Sequence, residues 1–156
     1  MTRVIAVIAV LSAAVLAGCG SSGPSTDTHA GRLSKPEWII AADNICADAL
    51  QHAVVLPKPS SPAELVTNLD RLIAIYSKEQ AALKGLVPEP QEQSAVDAIV
   101  AAAGVQVALA RGLRDVARTG DATAIAAYGT ANAAKAQEAQ RVAQDYGLKV
   151  CGNPRG

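Results

Sequence analysis

The amino-acid sequence predicts an all-α protein: an antiparallel four-helix up-and-down bundle, joined by one disulfide and preceded by a signal peptide and a flexible tether. From Ser34 onward the chain is rich in Ala, Leu, Gln, Lys, Glu and Arg, which are good helix formers. Apolar residues recur there at helical spacing, without sustained two-residue alternation. Four such segments are separated by short Pro- and Gly-containing links, which favour antiparallel neighbours in a bundle.

Residues 1–18 have the pattern of a bacterial lipoprotein signal peptide. Arg3 is the only charge before a small or apolar run of 14 residues, 4–17, as in the basic start and apolar middle of an export signal. As a helix this run would span about 21 Å, short of the roughly 30 Å hydrocarbon core of a membrane. It ends in Leu16-Ala17-Gly18-Cys19, which resembles the bacterial lipobox. That resemblance implies cleavage before Cys19 and lipidation of Cys19, whereas the alternative is an ordinary cleaved signal with a free thiol.

Residues 19–33 are interpreted as the lipidated cysteine and a flexible tether. The segment is rich in Gly, Ser and Thr and has no periodic apolar face. A coil of this length reaches roughly 20 Å, and the two or three acyl chains implied by the lipobox give a durable membrane anchor. We therefore expect the protein on the extracytoplasmic face of the cell membrane, with His29 solvated in the tether.

Residues 34–156 are predicted to form one helical bundle domain. Removal of residues 1–18 would leave 138 residues, enough for one domain of ordinary size. The remaining chain has 13 basic and 14 acidic residues, for a net charge near −1. This balance predicts no nucleic-acid partner and no attraction to anionic lipid.

The first two helices are both predicted to begin with a capping box, in which a Ser and the Glu three residues later cap each other. These pairs are Ser34 with Glu37 and Ser61 with Glu64. Pro57 ends the first helix, and Gly85 with Pro88 closes the second. The first apolar stripe is Trp38, Ala42, Ile45, Ala49 and His52 or Ala53, and the second is Leu65, Leu69, Leu72, Ile73, Tyr76 and Leu83.

The third helix is predicted to end at Gly120, and the fourth to run from an Asp121 cap to a left-handed Gly147. Gly104 and Gly112 lie inside the third helix, where they either permit close backbone contact or are simply tolerated. The third stripe is Val96, Ile99, Val100, Ala103, Val107, Ala110, Leu113 and Val116 or Ala117. The fourth is Ile125, Tyr128, Ala131, Ala139, Val142 and Tyr146.

Cys46 and Cys151 are predicted to form a disulfide, because they are the two cysteines left after lipidation of Cys19 in a compartment that permits disulfides. The bond would close a loop of about 105 residues, which the chain-entropy model values at roughly 4.7 kcal/mol. It would hold the tail on the first helix. A redox-active pair is the alternative, but the cysteines lack a CxxC spacing or a cationic neighbourhood.

Two short motifs resemble small Ala-rich helical lipoproteins and secreted proteins of actinobacteria. One is Ala42-Asp43-Asn44-Ile45-Cys46 on the first helix, and the other is Tyr146-Gly147-Leu148-Lys149-Val150-Cys151 at the tail. The resemblance covers about 115 residues. It implies a helical fold and the disulfide, but no activity, since such proteins are mostly of unknown function.

Arg111, Arg114 and Arg118 lie at i, i+3 and i+7 on one face near the end of the third helix. Asp115 can pair with Arg111 or Arg118. Cations at that end also suit the helix dipole, so a solvated structural face is the favoured interpretation. The alternative is a face that binds an anionic ligand or a partner.

The sequence predicts no catalytic residue, no metal site and no cofactor. His52 is the one histidine outside the tether, and the Glu-x-x-His pairs of di-metal bundles and the GxxxxGK[ST] phosphate loop do not occur. Asp43 and Asp48 are interpreted as solvated acids. His52, Tyr76 and Tyr128 could hold a haem-like group, but aromatic residues in helical stripes are more often core.

We therefore expect a non-enzymatic envelope lipoprotein that acts as an interaction or accessory module. The alternative is a carrier of a lipid or another apolar ligand within the bundle. The chain has no Phe and only one Trp, so the helices can approach closely and we expect a closed core. A carrier would instead need an apolar cavity of a few hundred cubic ångströms.

Overall fold

A computed structural model describes residues 31–153 of the chain. The predicted signal peptide, Cys19 and most of the predicted tether, including His29, lie outside the described residues. Their assignments therefore stay predictions.

Within residues 31–153 the chain forms four α-helices and no strand, which confirms the predicted all-α bundle. The helices are α1 (Lys35–Val54), α2 (Pro62–Lys84), α3 (Gln93–Ala117) and α4 (Ala122–Tyr146). A short 3-10 turn, Pro90–Glu92, leads into α3. The long helix α3 packs along both α2 and α4, whereas α1 contacts α2 over a shorter stretch.

The helix ends follow the predicted caps with one difference. Ser34 and Glu37 form the capping box of α1. At α2 the Ser61 hydroxyl accepts from the Glu64 N–H at 3.2 Å, but the Glu64 carboxylate accepts from the backbone N–H and the hydroxyl of Ser60, both at 2.7 Å. The predicted capping box, in which Ser61 and Glu64 cap each other, is therefore wrong in one half, because the Glu64 carboxylate binds Ser60 instead of Ser61. Ser60 offers Glu64 two donors, its N–H and its hydroxyl, instead of one.

The ends of α4 are as predicted. The Asp121 carboxylate accepts from the N–H groups of Thr123 at 2.8 Å and Ala124 at 3.1 Å. Gly147 has a φ of +113°, in the left-handed region that favours glycine. The next residue, Leu148, is buried and starts the tail.

The core is concentrated at the end of the bundle where α1 begins and α4 ends. Trp38 is fully buried there, and its ring meets that of Tyr146 edge-on with centroids 5.6 Å apart. The Lys35 ammonium lies 4.3 Å from the centre of the Tyr146 ring, on its outer side. The buried cluster consists of Trp38, Ala42, Leu83, Val96, Ile99, Val100, Ala143, Tyr146 and Leu148.

The predicted apolar stripes are largely confirmed, with one exception at Ala131. Ala131 is exposed, and the residues facing inward near it are Tyr128 and Asn132. The last position of the first stripe, predicted as His52 or Ala53, is the half-buried Ala53, since His52 is exposed. The stripe of α4 fails at Ala131 because an alanine-rich helix carries too little apolar contrast to fix its inward face.

Side chains from neighbouring helices fill the space beside the two glycines of α3. A Cβ added at Gly104 would lie 2.5 Å from Gln80 Nε2, and one added at Gly112 would lie 2.1 Å from Tyr128 Oη. The Tyr128 hydroxyl donates to the Leu109 carbonyl at 3.2 Å. Both predicted explanations, close backbone contact and simple tolerance of glycine, are therefore wrong. Each glycine makes room for a polar side chain of a neighbouring helix instead of a second backbone.

The segment before α1 is held against the link between α2 and α3. The Leu33 N–H donates to the Val87 carbonyl at 2.8 Å, and the Glu89 N–H donates to the Leu33 carbonyl at 3.1 Å. These bonds form an isolated parallel bridge between Leu33 and Pro88. The Arg32 guanidinium adds a bond to the Pro88 carbonyl at 3.2 Å.

The tail is fixed on α1 by the Cys46–Cys151 disulfide, with Cα atoms 5.1 Å apart. This confirms the predicted pair. The Asp43 carboxylate, one turn before Cys46, accepts from the backbone N–H groups of Lys149, Val150 and Cys151. The interpretation of Asp43 as a solvated acid is therefore wrong, because the tail supplies three donors to it.

One segment of the described chain, Pro90–Ala117, is long and apolar enough to cross a membrane by length and composition. Its most buried residues face the other helices and include Val96, Ile99 and Val107. A core helix of a soluble domain meets the same criteria, so this feature is weak evidence for a membrane span.

Candidate functional site

A cleft of about 520 Å³ lies between α1 and α2. It is open to solvent on one side, and its volume is within the range of small-molecule sites. Its apolar floor comes from small and branched residues of both helices: Ile45, Ala49, Ala74, Ile75 and Ala82. The cleft forms because α1 is fixed mainly by Trp38 and the tail, while the alanines leave the space beside α2 unfilled.

Polar side chains surround the mouth of this cleft. Lys78 Nζ lies 3.8 Å from Asp48 Oδ2, so one ion pair joins the two helices across the opening. Both side chains are more than half exposed, and such a pair contributes little to stability. His52 lies one turn beyond Asp48, with its Nδ1 2.7 Å from the Asp48 carbonyl. The rim therefore carries both signs of charge, which offset each other.

Glu79 is the one half-buried acid of the cleft lining. Its Oε1 lies 3.2 Å from Cys46 Sγ, and a disulfide sulfur carries neither a proton nor a charge. Within residues 31–153 no cationic side chain pairs with Glu79, and burial raises its pKa to about 7. The carboxyl is therefore divided between its neutral and ionised forms near neutral pH.

Glu79 also lines a smaller inner pocket of about 120 Å³. The inner pocket is lined by Tyr76, Gln106, Gln140 and the two cysteines of the disulfide. Burial and the nearby charge of Glu79 raise the pKa of Tyr76, so its hydroxyl stays protonated at neutral pH. The Glu79 carboxyl thus has the open cleft on one side and a polar pocket on the other.

The predicted arginine face is partly neutralised by acids. Arg114 Nη2 lies 2.9 Å from Asp115 Oδ1, and Arg114 Nη1 lies 3.3 Å from Asp70 Oδ1 of α2. Arg118 Nη1 lies 3.5 Å from the same Asp115 oxygen, while Arg111 is exposed. These contacts favour the structural interpretation, and the link from Arg114 to Asp70 on α2 was not predicted.

His52, Tyr76 and Tyr128 do not share one cavity. His52 lies at the rim of the cleft, Tyr76 lines the inner pocket, and Tyr128 packs on Gly112 away from both. In the described part of the chain no group of three His, Cys, Asp or Glu side chains is placed to hold a metal ion.

Sequence reasoning missed Glu79, although its position carries a signal. It follows Tyr76 by three residues and precedes Leu83 by four, so it occupies the inward stripe of α2. A lone acid on an apolar helix face is uncommon, because burying a charge without a partner is costly. That departure from the stripe could have identified the site.

No family model, no curated protein and no solved structure matches the chain.

Proposed function

We propose that this protein is a lipoprotein of the bacterial cell envelope, anchored through Cys19, that binds an apolar ligand in the cleft between α1 and α2. The cleft carries the proposal, because its volume and its apolar floor of Ile45, Ala49, Ala74, Ile75 and Ala82 are those of a small-molecule site. The closed core expected for the bundle stays a prediction, since this cleft is open to solvent. The cleft favours the carrier alternative over a pure interaction module.

The predicted location supports an apolar ligand. Leu16-Ala17-Gly18-Cys19 predicts an acylated N-terminus, and the tether would hold the bundle within about 20 Å of the membrane surface. Molecules of low aqueous solubility are concentrated at such a surface. A cleft that is open along one side can take up a slender apolar chain without unfolding of the bundle.

The groups around the cleft suit binding better than catalysis. Asp48 and Lys78 offset each other's charge at the rim. Cys46, whose thiol would be the strongest nucleophile nearby, is held in the disulfide. We therefore propose that the protein binds its ligand without transforming it.

A second candidate is an interaction module that contacts another envelope protein. Val54 and Val55 are 68% and 75% exposed at the end of α1, and two adjacent exposed valines form a small apolar contact surface. This surface is much smaller than the cleft, so we rank it second.

Replacement of Ala74 by Phe tests the proposed cleft, since Ala74 lines it and is exposed to solvent. Ala81→Phe is the matched control on the same helix, because Ala81 is exposed and outside the cleft lining. The full chain would be purified in a fluorinated surfactant, which dissolves hydrocarbon poorly, and titrated calorimetrically with octanol.

We expect Ala74→Phe to weaken octanol binding about tenfold or more and Ala81→Phe to leave it unchanged, a difference of about 1.4 kcal/mol. Native mass spectrometry of protein from its own membrane should also show an apolar adduct. Equal octanol binding by both variants would place the ligand elsewhere, and no binding by the unmodified chain would overturn the proposal.

A further inference from the structure

The ligand-binding cleft contains one feature that a purely apolar ligand would not use, the Glu79 carboxyl. We infer that the ligand of this cleft carries a protonated amine on its apolar body and that Glu79 is the counter-charge that holds it. This inference rests on the proposed function, because it assigns the chemical class of the same ligand.

Glu79 lies at a point where three cavities of the bundle share a lining residue. Its side chain lines the apolar cleft, the inner pocket and a third small cavity beside Ile99 and Ala143. The carboxyl therefore belongs to the cleft lining, where Ile75 precedes it and Ala82 follows it along α2. An apolar chain lying on Ile45 and Ile75 would bring a polar head group next to Glu79.

The Glu79 carboxyl has no counter-charge among the described residues. The carboxyl oxygen Oε1 lies 3.2 Å from the Cys46 sulfur, which cannot neutralise a charge. A partly desolvated carboxylate without a cation is unfavourable, and a charge-assisted hydrogen bond from an ammonium group would offset that cost. An ammonium head group is therefore the complement of this position.

Charged and titratable groups lie around Glu79 on both the cleft side and the pocket side. Asp48 and His52 of α1 and Lys78 of α2 lie on the cleft side, while Tyr76 of α2 lies on the pocket side. Gln106 of α3 and Gln140 of α4 line the pocket and carry no charge.

Lys78 does not compete for Glu79. Its side chain is 80% exposed and contacts Asp48 instead. A ligand carboxylate would be repelled by Glu79 and Asp48, and it could form an ion pair only with the solvated Lys78. An amine would be attracted by both acids, so charge complementarity favours the amine.

A dependence of binding on pH follows from this arrangement. Burial holds the pKa of Glu79 at about 7, whereas an alkyl amine resembles lysine and stays protonated up to a pH of about 10. Raising the pH from about 6 to about 8 should ionise Glu79 and strengthen amine binding about tenfold, while binding of a neutral alcohol should not increase.

The experiment compares octylamine, octanol and octanoate by calorimetric titration of the full chain in the same fluorinated surfactant. Glu79→Gln removes the charge and keeps the shape of the side chain. Glu138→Gln is the matched control, because it makes the same change on the exposed side of α4, outside the cleft. Circular dichroism checks that both variants are folded.

We expect octylamine to bind about tenfold more tightly than octanol near pH 8, a difference of about 1.4 kcal/mol. Glu79→Gln should remove this preference and its pH dependence, and Glu138→Gln should keep both. Even if Glu79→Gln does not fold, the pH dependence of the unmodified chain supports or contradicts the inference.

Other outcomes separate the two proposals. Equal binding of octylamine and octanol, or tighter binding of octanoate, would overturn the amine inference and leave the apolar cleft in place. A failure of all three ligands to bind would overturn the proposed function itself.

Discussion

The carboxylate of Asp43 in α1 lies 2.9 Å from the backbone nitrogen of Val150 in the tail, although 107 positions separate the two residues. The same carboxylate accepts from the N–H groups of Lys149 and Cys151. The two motifs noted in the sequence, 42–46 and 146–151, are therefore in direct contact. Asp43 orders the tail backbone next to the disulfide.

Replacement of Asp43 by Ala should lower the free energy of unfolding by about 2 kcal/mol, since the tail N–H groups would lose a charged acceptor. Asp48→Ala is the control on the same helix, because Asp48 is 57% exposed, and should change stability by less than about 0.5 kcal/mol. Urea denaturation with the disulfide intact measures both. Equal effects of the two substitutions would contradict this role of Asp43.

Removal of the disulfide should lower the free energy of unfolding more than Asp43→Ala does. The Cys46–Cys151 bond closes a loop over a sequence separation of 105, and its loss should lower the free energy of unfolding by about 4.7 kcal/mol in the chain-entropy model. The measurement is denaturation of the Cys46→Ala/Cys151→Ala double variant beside the oxidised protein. A loss below about 1 kcal/mol would mean that the other tail contacts suffice.

Two glycine substitutions should have opposite effects. In Gly112→Ala the new Cβ would lie 2.1 Å from Tyr128 Oη, so the ring must shift and stability should fall by about 1–3 kcal/mol. In Gly129→Ala, within α4, nothing lies within 4 Å of the new Cβ, and the higher helix propensity of Ala should stabilise the protein by up to about 1 kcal/mol. Thermal unfolding of both variants checks this, and a shift of the same sign in both would contradict it.

Stability should fall as the pH rises from about 5 to about 8. The pKa of Glu79 is raised from its ordinary value of 4.5 to about 7, so its contribution is complete below the ordinary value and is lost as the pH passes the folded value. Glu37 and Glu64 have lowered pKa values and act in the opposite direction, below their ordinary value of 4.5.

The expected loss over this range is about 2 kcal/mol, after allowance for the partial exposure of Glu79. Urea denaturation across the range measures it. Glu79→Gln should flatten the profile and raise stability at the alkaline end. If the free energy of unfolding of the unmodified chain does not change with pH over this range, Glu79 ionises in the folded protein without loss of stability.

Replacement of Cys19 by Ala should abolish lipidation, because the lipobox interpretation depends on that thiol. Detergent phase partitioning and mass spectrometry of the N-terminal peptide measure the result. The unmodified chain should partition with the detergent and carry acyl chains. Recovery of an acylated Ala variant would show that the anchor lies elsewhere.

The helix boundaries could be predicted from the sequence because they depend on neighbouring residues. Ser34, Asp121 and Gly147 act through backbone groups within a few positions, and such local signals do not require knowledge of the tertiary structure. The disulfide could be predicted because lipidation of Cys19 would leave only two cysteines.

The cleft could not be predicted, because periodicity shows which side of a helix faces inward but not how closely two helices approach. The space beside α2 depends on where α1 is fixed, and that depends on Asp43 and the tail 107 positions away. The ion pair between Arg114 and Asp70 is equally non-local. Glu79 was detectable only as an acid on an apolar face, and its environment required the positions of the other three helices.

The Leu33–Pro88 bridge also determines how the fold responds to mechanical load. A pull on the chain before residue 31 acts first on the hydrogen bonds between Leu33 and the α2–α3 link. If these break, unravelling of α1 can proceed only as far as Cys46, where the disulfide transfers the force covalently to Cys151. Of the α1 residues that line the cleft, Asp48, Ala49 and His52 lie beyond that point. Tension from the N-terminal side can therefore displace Ile45 but leaves these three in place.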